Sequence, residues 1–335
     1  MPGQGLAEPP LVGSLVQYLR AGAELPARAA RLAECRIAVA LAWHAIGLTE
    51  VERAALREAS LFQLRETMDA EAMAERVSEV LASHGVAHVF FKGPVTAAGW
   101  DRTWASRESR TYADLDVLVS PHDREAAISA LCEDLGAHRA RSSFGQITLL
   151  SHRTWIDLHW ELLNDERRAL EHDFATTKVF EANVVWSAAQ GRLDPEMALL
   201  HTLAHATMSE LVRPVSLVDI DAGSRSVQDW GQFQRYAKAH RLGLVARVGL
   251  VASQRWMSSP LPDGLIGELA PRGPWAHGCE FALKRPPHRH LERGWSGDEL
   301  YRHTRVNDVS SIVDLLRGVP LQVRTQRDLR TGRTP

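Results

Sequence analysis

Residues 110–119 read RTYADLDVLV and residues 155–162 read WIDLHWEL. In the first, Leu115, Val117 and Val119 fall on one side of an extended chain and Asp114, Asp116 and Leu118 on the other, because successive side chains of a strand point to opposite faces. In the second, Ile156, Leu158, Trp160 and Leu162 share a face, leaving Trp155, Asp157, His159 and Glu161 opposite them. Each stretch predicts a half-buried strand whose second face carries acids. Asp114 and Asp116, two apart on one strand, can hold a hard cation together, and Asp157 brings a third carboxylate from a separate strand. Three converging carboxylates suffice to gather two divalent cations about 3.5–4 Å apart.

Outward from these strands the pattern changes period. Val86–Phe91 is a further apolar run of strand length, entered from a helix end at His84-Gly85. Lys92-Gly93-Pro94-Val95 reads as a turn into a short helix, since proline is tolerated at a helix start. Ser120-Pro121-His122-Asp123 opens a helix ending near Gly136, and Gln146–Leu150 pairs with the 155–162 strand through a turn at His152-Arg153. Leu11 to Leu81 is helical in spacing, and so is the chain from Asp194-Pro195-Glu196 to about Met257. The reading is α+β: a small mixed-sheet core over residues 81–190, an N-terminal helical region over 1–80, and a C-terminal helical module with a basic tail over 191–335. Arg324, Arg327, Arg330 and Arg333 make that tail basic, as a solvated terminus.

The 335 residues are 45% hydrophobic and 24% charged, an ordinary globular balance that excludes a disordered chain. A formal net charge of -2 gives no general attraction to nucleic acid. Cys35, Cys132 and Cys279 fit neither a disulfide framework nor a zinc motif, which suits a reducing cytoplasm. The longest apolar stretch, Ile37–Leu48, is interrupted by His44 and too short to span a bilayer, so no membrane association is expected.

The succession FKGPVTAAGW, RTYADLDVLV, WIDLHW, HTLAHA and SLVDI resembles the uncharacterised nucleotidyltransferase family of the DNA-polymerase-β-like superfamily, over roughly Leu81 to Leu244. The resemblance implies a metal-dependent transferase with Asp114, Asp116 and Asp157 as catalytic metal ligands for magnesium, or manganese. It implies a nucleoside triphosphate as donor, a small-molecule or peptide acceptor, and pyrophosphate as product. Lys92 and Gly93 stand where the superfamily has a Gly-Gly or Gly-Ser turn that cradles triphosphate; lysine there can meet phosphate as a point charge. Arg110 and His159 match further family positions and complete the nucleotide-binding set.

Each residue also has a plainer reading. Arg110 is either a triphosphate ligand or the partner of an acid. His159, sharing a face with Asp157, is expected to orient that carboxylate. His201 and His205 lie four apart on a helix, but HTLAH lacks the glutamate of a zinc protease, so core packing is expected. Asp219 and Asp221 form a second D-x-D inside a helical segment, outside the metal site, with Asp219 at most lining the pocket. Two other functions keep the same fold: a transferase modifying RNA or protein, and a nucleotide-binding regulator without turnover.

Overall fold

A five-stranded mixed sheet forms where alternation predicts it, with one strand more than the apolar pattern reveals. The computed structural model describes residues 7–21, 24–162, 186–187, 192–208 and 213–269. Its strands are β1 (His88–Phe91), β2 (Asp114–Val119), β3 (His138–Ser143), β4 (Gln146–Ser151) and β5 (Thr154–His159), in spatial order β1-β2-β5-β4-β3. β2 and β5 run parallel; the other neighbours are antiparallel. The unexpected strand is β3, HRARSS, whose six side chains are all exposed. Edge strands are kept polar and charged, and so carry no hydrophobic alternation. β5 also ends sooner than the pattern through Leu162 suggests. The amides of Trp160 and Glu161 both turn onto the Gly145 carbonyl, 2.8 and 3.1 Å away. Gly145 has φ +70°, and a Cβ there would meet that of Glu161 at 2.4 Å, so the corner requires glycine.

Eleven helices surround the sheet in the described residues. α1 (Pro10–Arg20), α2 (Leu25–Glu34), α3 (Ala38–His44) and α4 (Glu50–Ser83) precede it; α5 (Gly93–Gly99) and α6 (Arg124–Asp134) are inserted between strands. α7 (Pro195–Met208), α8 (Pro214–Ser224), α9 (Trp230–Ala239), α10 (Gly243–Met257) and α11 (Leu265–Glu268) follow, after the small ribbon β6 (Trp186–Ser187) and β7 (Arg192–Leu193). The basic tail and Cys279 lie outside the described residues. Among the described residues no helix is long and apolar enough to cross a membrane.

Leu115, Val117, Val119, Ile156 and Leu158 form the apolar face and pack with Met73, Val77 and Leu81 of α4 and Ile128 and Leu131 of α6. On the opposite face Val89, Phe91 and Leu118 join a second core made by α1 to α3 and α7 to α10. Helices therefore cover the far end of the acid-bearing face, while Asp114 at the near end stays exposed. Trp230 and Trp256 pack against that second core, as expected of anchors.

The long helix α4 contributes to both cores, so its start is firmly fixed. Thr49 and Glu52 form a capping box, each satisfying the other's backbone amide. Glu52 also takes the Arg20 guanidinium at 2.7 and 3.1 Å, which ties α1 to α4. Chiefly through the hydrogen bond from Arg20, the Glu52 carboxyl is held down to about 2. A depressed carboxyl stabilises the fold above its unfolded value of 4.5 and loses that contribution as pH falls toward 2. We expect Glu52→Gln, which keeps the cap but not the charge, to be less stable at pH 7 by up to about 1 kcal/mol. Most of the difference should be gone near pH 2.5; urea unfolding at pH 7, 4 and 2.5 checks it, and a pH-independent difference would mean that charge is not its source.

Candidate active site

The parallel register of β2 and β5 sets Asp116 beside Asp157, Asp114 beside Trp155 and Leu118 beside His159. Paired residues project to the same side of a sheet. A row of side chains thus crosses all five strands: Phe91, Asp116, Asp157, Thr148 and Arg141. The three aspartates share one face, as their alternation predicts.

Asp116 is the most heavily engaged of them. It is 4% exposed, and its Oδ1 accepts from Lys92 Nζ at 2.5 Å and from His159 Nε2 at 3.0 Å. Burial alone would push this carboxyl up; the Lys92 charge and the His159 hydrogen bond outweigh it and hold the group well below the usual carboxylate range. An ionised carboxylate only accepts, so His159 must donate from Nε2. Burial, and then the nearby Lys92 charge, lowers His159 below its ordinary value and favours the neutral ring, whose Nδ1 is buried without a hydrogen-bond partner among the described residues. His159 therefore positions Asp116 and not Asp157, whose Oδ1 is fixed instead by the Thr148 hydroxyl at 2.6 Å. Asp114, at the open end, is pushed up to about 6 by the protein around it and then by the charges of Asp116 and Asp157.

Lys92 reaches Asp116 because of an unusual backbone. It has φ +60° and ψ −126°, a conformation that L-residues rarely adopt and that costs of order 1–3 kcal/mol. Thr96 ties the turn down, its amide and hydroxyl both bonding to the Lys92 carbonyl. Gly93 follows with no room to spare: a Cβ would stand 3.0–3.2 Å from the Tyr112 side chain. The Lys-Gly pair is thus a strained turn aimed at the acids.

Arg110 is spent within the protein. Its guanidinium forks onto both oxygens of Asp219 at 2.9 Å each and donates to the Thr111 carbonyl. Asp219 accepts the Trp100 indole as well, at 2.7 Å. Asp221, the other half of the second D-x-D, bonds Arg225 and Ser259. His201 is buried, bonds the Leu162 carbonyl at 3.1 Å, and packs edge-on against Phe91. Burial and then the nearby Lys92 charge push it down to about 3, so it is neutral.

Many of these groups, though not His159 or Asp221, border one cleft of about 710 Å³, a volume suited to a nucleotide. Lys92, Gly93, Arg110, the three aspartates, Asp219, His201 and His205 line it, together with Arg36, Arg141, Gln146, Trp155 and Arg213, which the motif reading does not single out. Their signal is cationic and aromatic chemistry spread over distant segments, and only the fold collects it. The model of a family described as uncharacterised nucleotidyltransferase matches residues 27–258 of the 335. The chain belongs to that family. No curated protein and no solved structure matches it.

The donor set of this nucleotidyltransferase fits a divalent cation. Single ligand atoms of Asp116, Asp157 and His159 all lie within 4.8 Å of one another. With His159 Nε2 occupied by Asp116, the oxygens of Asp116 and Asp157, with Asp114 on the same face, are the donors that a hard cation prefers. The Asp114 carboxyl is raised first by burial and then by the negative charge of Asp116 and Asp157, a charge that the Lys92 ammonium offsets at Asp116.

The Arg110–Asp219 pair is nearly buried on both sides, with side chains 11% and 10% exposed. Removing one member of such a pair strands the other charge, so we expect Asp219→Ala to lower stability by about 3–5 kcal/mol. Arg110→Met in the same chain should restore most of it. Chemical denaturation of the two variants decides; a single-variant loss below about 1 kcal/mol would leave Arg110 without a structural role.

Proposed function

We propose that this nucleotidyltransferase moves a nucleoside monophosphate from a nucleoside triphosphate to a small-molecule or peptide acceptor, with release of pyrophosphate. What carries the reading is the convergence of Asp114, Asp116 and Asp157 on one sheet face beneath a cleft edged by cationic side chains. In the reaction the acceptor oxygen forms a bond to the α-phosphorus and the bond from that phosphorus to the bridging oxygen breaks. Asp157, oriented by Thr148 through one oxygen, receives the acceptor's proton through the other. Lys92 and the backbone of Gly93 bind the phosphates on the other side of Asp116, and the neutral imidazole of His159 keeps Asp116 pointed at the cleft. Asp114, Asp116 and Asp157 would hold magnesium, or manganese, which neutralises charge at the reacting phosphates.

The test is transfer of α-labelled nucleotide to components of a cell extract, beside pyrophosphate release and thermal shift with triphosphate and magnesium. Asp116→Asn should keep the fold and reduce transfer by about 100-fold or more, because preorganised charge supplies most of the rate in such sites. Lys92→Ala should weaken both turnover and triphosphate affinity, since it removes a phosphate contact while leaving the three carboxylates. Chelation should abolish the wild-type reaction. Full magnesium-dependent release by Asp116→Asn would sink the assignment of the aspartates.

A further inference from the structure

On the cleft wall Arg36 and Arg110 are neutralised internally by Glu66 and Asp219, and Lys92, the phosphate ligand of the proposed reaction, pairs with Asp116. Arg141 and Arg213 line the same cleft without an ion-pair partner among the described residues, and Arg141 is the one that stands in the sheet row of the aspartates. Its position is specific. It stands on the edge strand β3, opposite Thr148, whose other neighbour in the row is Asp157. Lys92 lies beyond Asp116 in the opposite direction, since Phe91 of β1 is the partner of Asp116. The Arg141 guanidinium is therefore on the Asp157 side of the site.

A second observation falls on the same side. Gln146 of β4 lines the cleft, is 3% exposed, and its side-chain oxygen is buried with no hydrogen-bond partner among the described residues. A buried polar atom left unpaired costs about 1–3 kcal/mol, so an amide kept in that state points to a group that arrives from outside. The strand opposite reinforces the placement, because Gln146 is the register partner of His159.

We propose that the acceptor is an anion: its phosphate or carboxylate is held by Arg141, and a hydroxyl or ammonium near that charge donates to Gln146. The proposal rests on the nucleotidyl-transfer reading, in which the triphosphate lies on the Lys92 side and Asp157 receives the acceptor's proton. It assigns acceptor recognition to the β3–β4 end of the sheet. A guanidinium suits either anion, since its fork matches both carboxylate and phosphate.

Calorimetry on the full chain separates the two substrates. The protein is first saturated with a non-hydrolysable α,β-methylene triphosphate and magnesium, then titrated with inorganic phosphate and, separately, with succinate. The expected result is that at least one anion binds the nucleotide-loaded protein. Arg141→Gln, on an exposed edge strand where folding is not at risk, should weaken that anion about tenfold or more while leaving nucleotide affinity within about twofold. Which anion binds tells phosphate from carboxylate. Failure of both to bind, equal binding to Arg141→Gln, or a matching loss of nucleotide affinity overturns the proposal, the last by moving Arg141 to the triphosphate. Absence of nucleotide binding in the wild type is read in the first step and sinks the transfer reading itself.

Discussion

Asp116 is buried on an interior strand of the sheet, where a charge is costly to hold, and it stays ionised because Lys92 and His159 both donate to the same oxygen. That requirement propagates outward. Lys92 must reach across from the end of β1, which asks for a turn at positive φ, which in turn needs Thr96 to tie it and Gly93 to let Tyr112 close against it. His159 must lie in the same face of the next strand, which the parallel register of β2 and β5 provides. A slip of one residue would set Asp157 against Leu115 or Val117 of β2 and turn it, with His159, into the apolar core, a change that both the hydrophobic and the charged sets forbid.

Much of this is legible in the order of residues, and the gaps have physical causes. Strand alternation places the three aspartates on one face because periodicity two is fixed by backbone geometry, whatever the tertiary surroundings. The partner of His159 is not legible, since a histidine on a shared face can turn toward a neighbour on its own strand or across the register; it takes Asp116. β3 is silent because HRARSS has no buried side to reveal. Arg110 and Asp219 lie 109 positions apart, and their bidentate pairing is a property of helix α8 meeting the segment ahead of β2. Nothing in either segment alone tells a triphosphate arginine from one already paired.

The same distinction, between charge that is spent and charge that is free, gives the cleft its two-sided character. Folding neutralises Arg36 and Arg110 against specific acids, so a count of basic residues overstates what a ligand meets. Among the described residues of the sheet's cleft-lining row, what remains unpaired is Arg141, at the far end from Phe91. The carboxylates lie between, and their mutual repulsion, which adds to burial in raising the Asp114 carboxyl, is relieved only in part by Lys92. A site so arranged has an unsatisfied demand for positive charge at its centre and an unsatisfied supply of it at one edge. Along the row β4 separates Arg141 from Asp157, with Thr148 in register between them. A bound cation at the centre and an anion at the edge would satisfy both at once. The rigid sheet, more than any loop, then sets the distance between them.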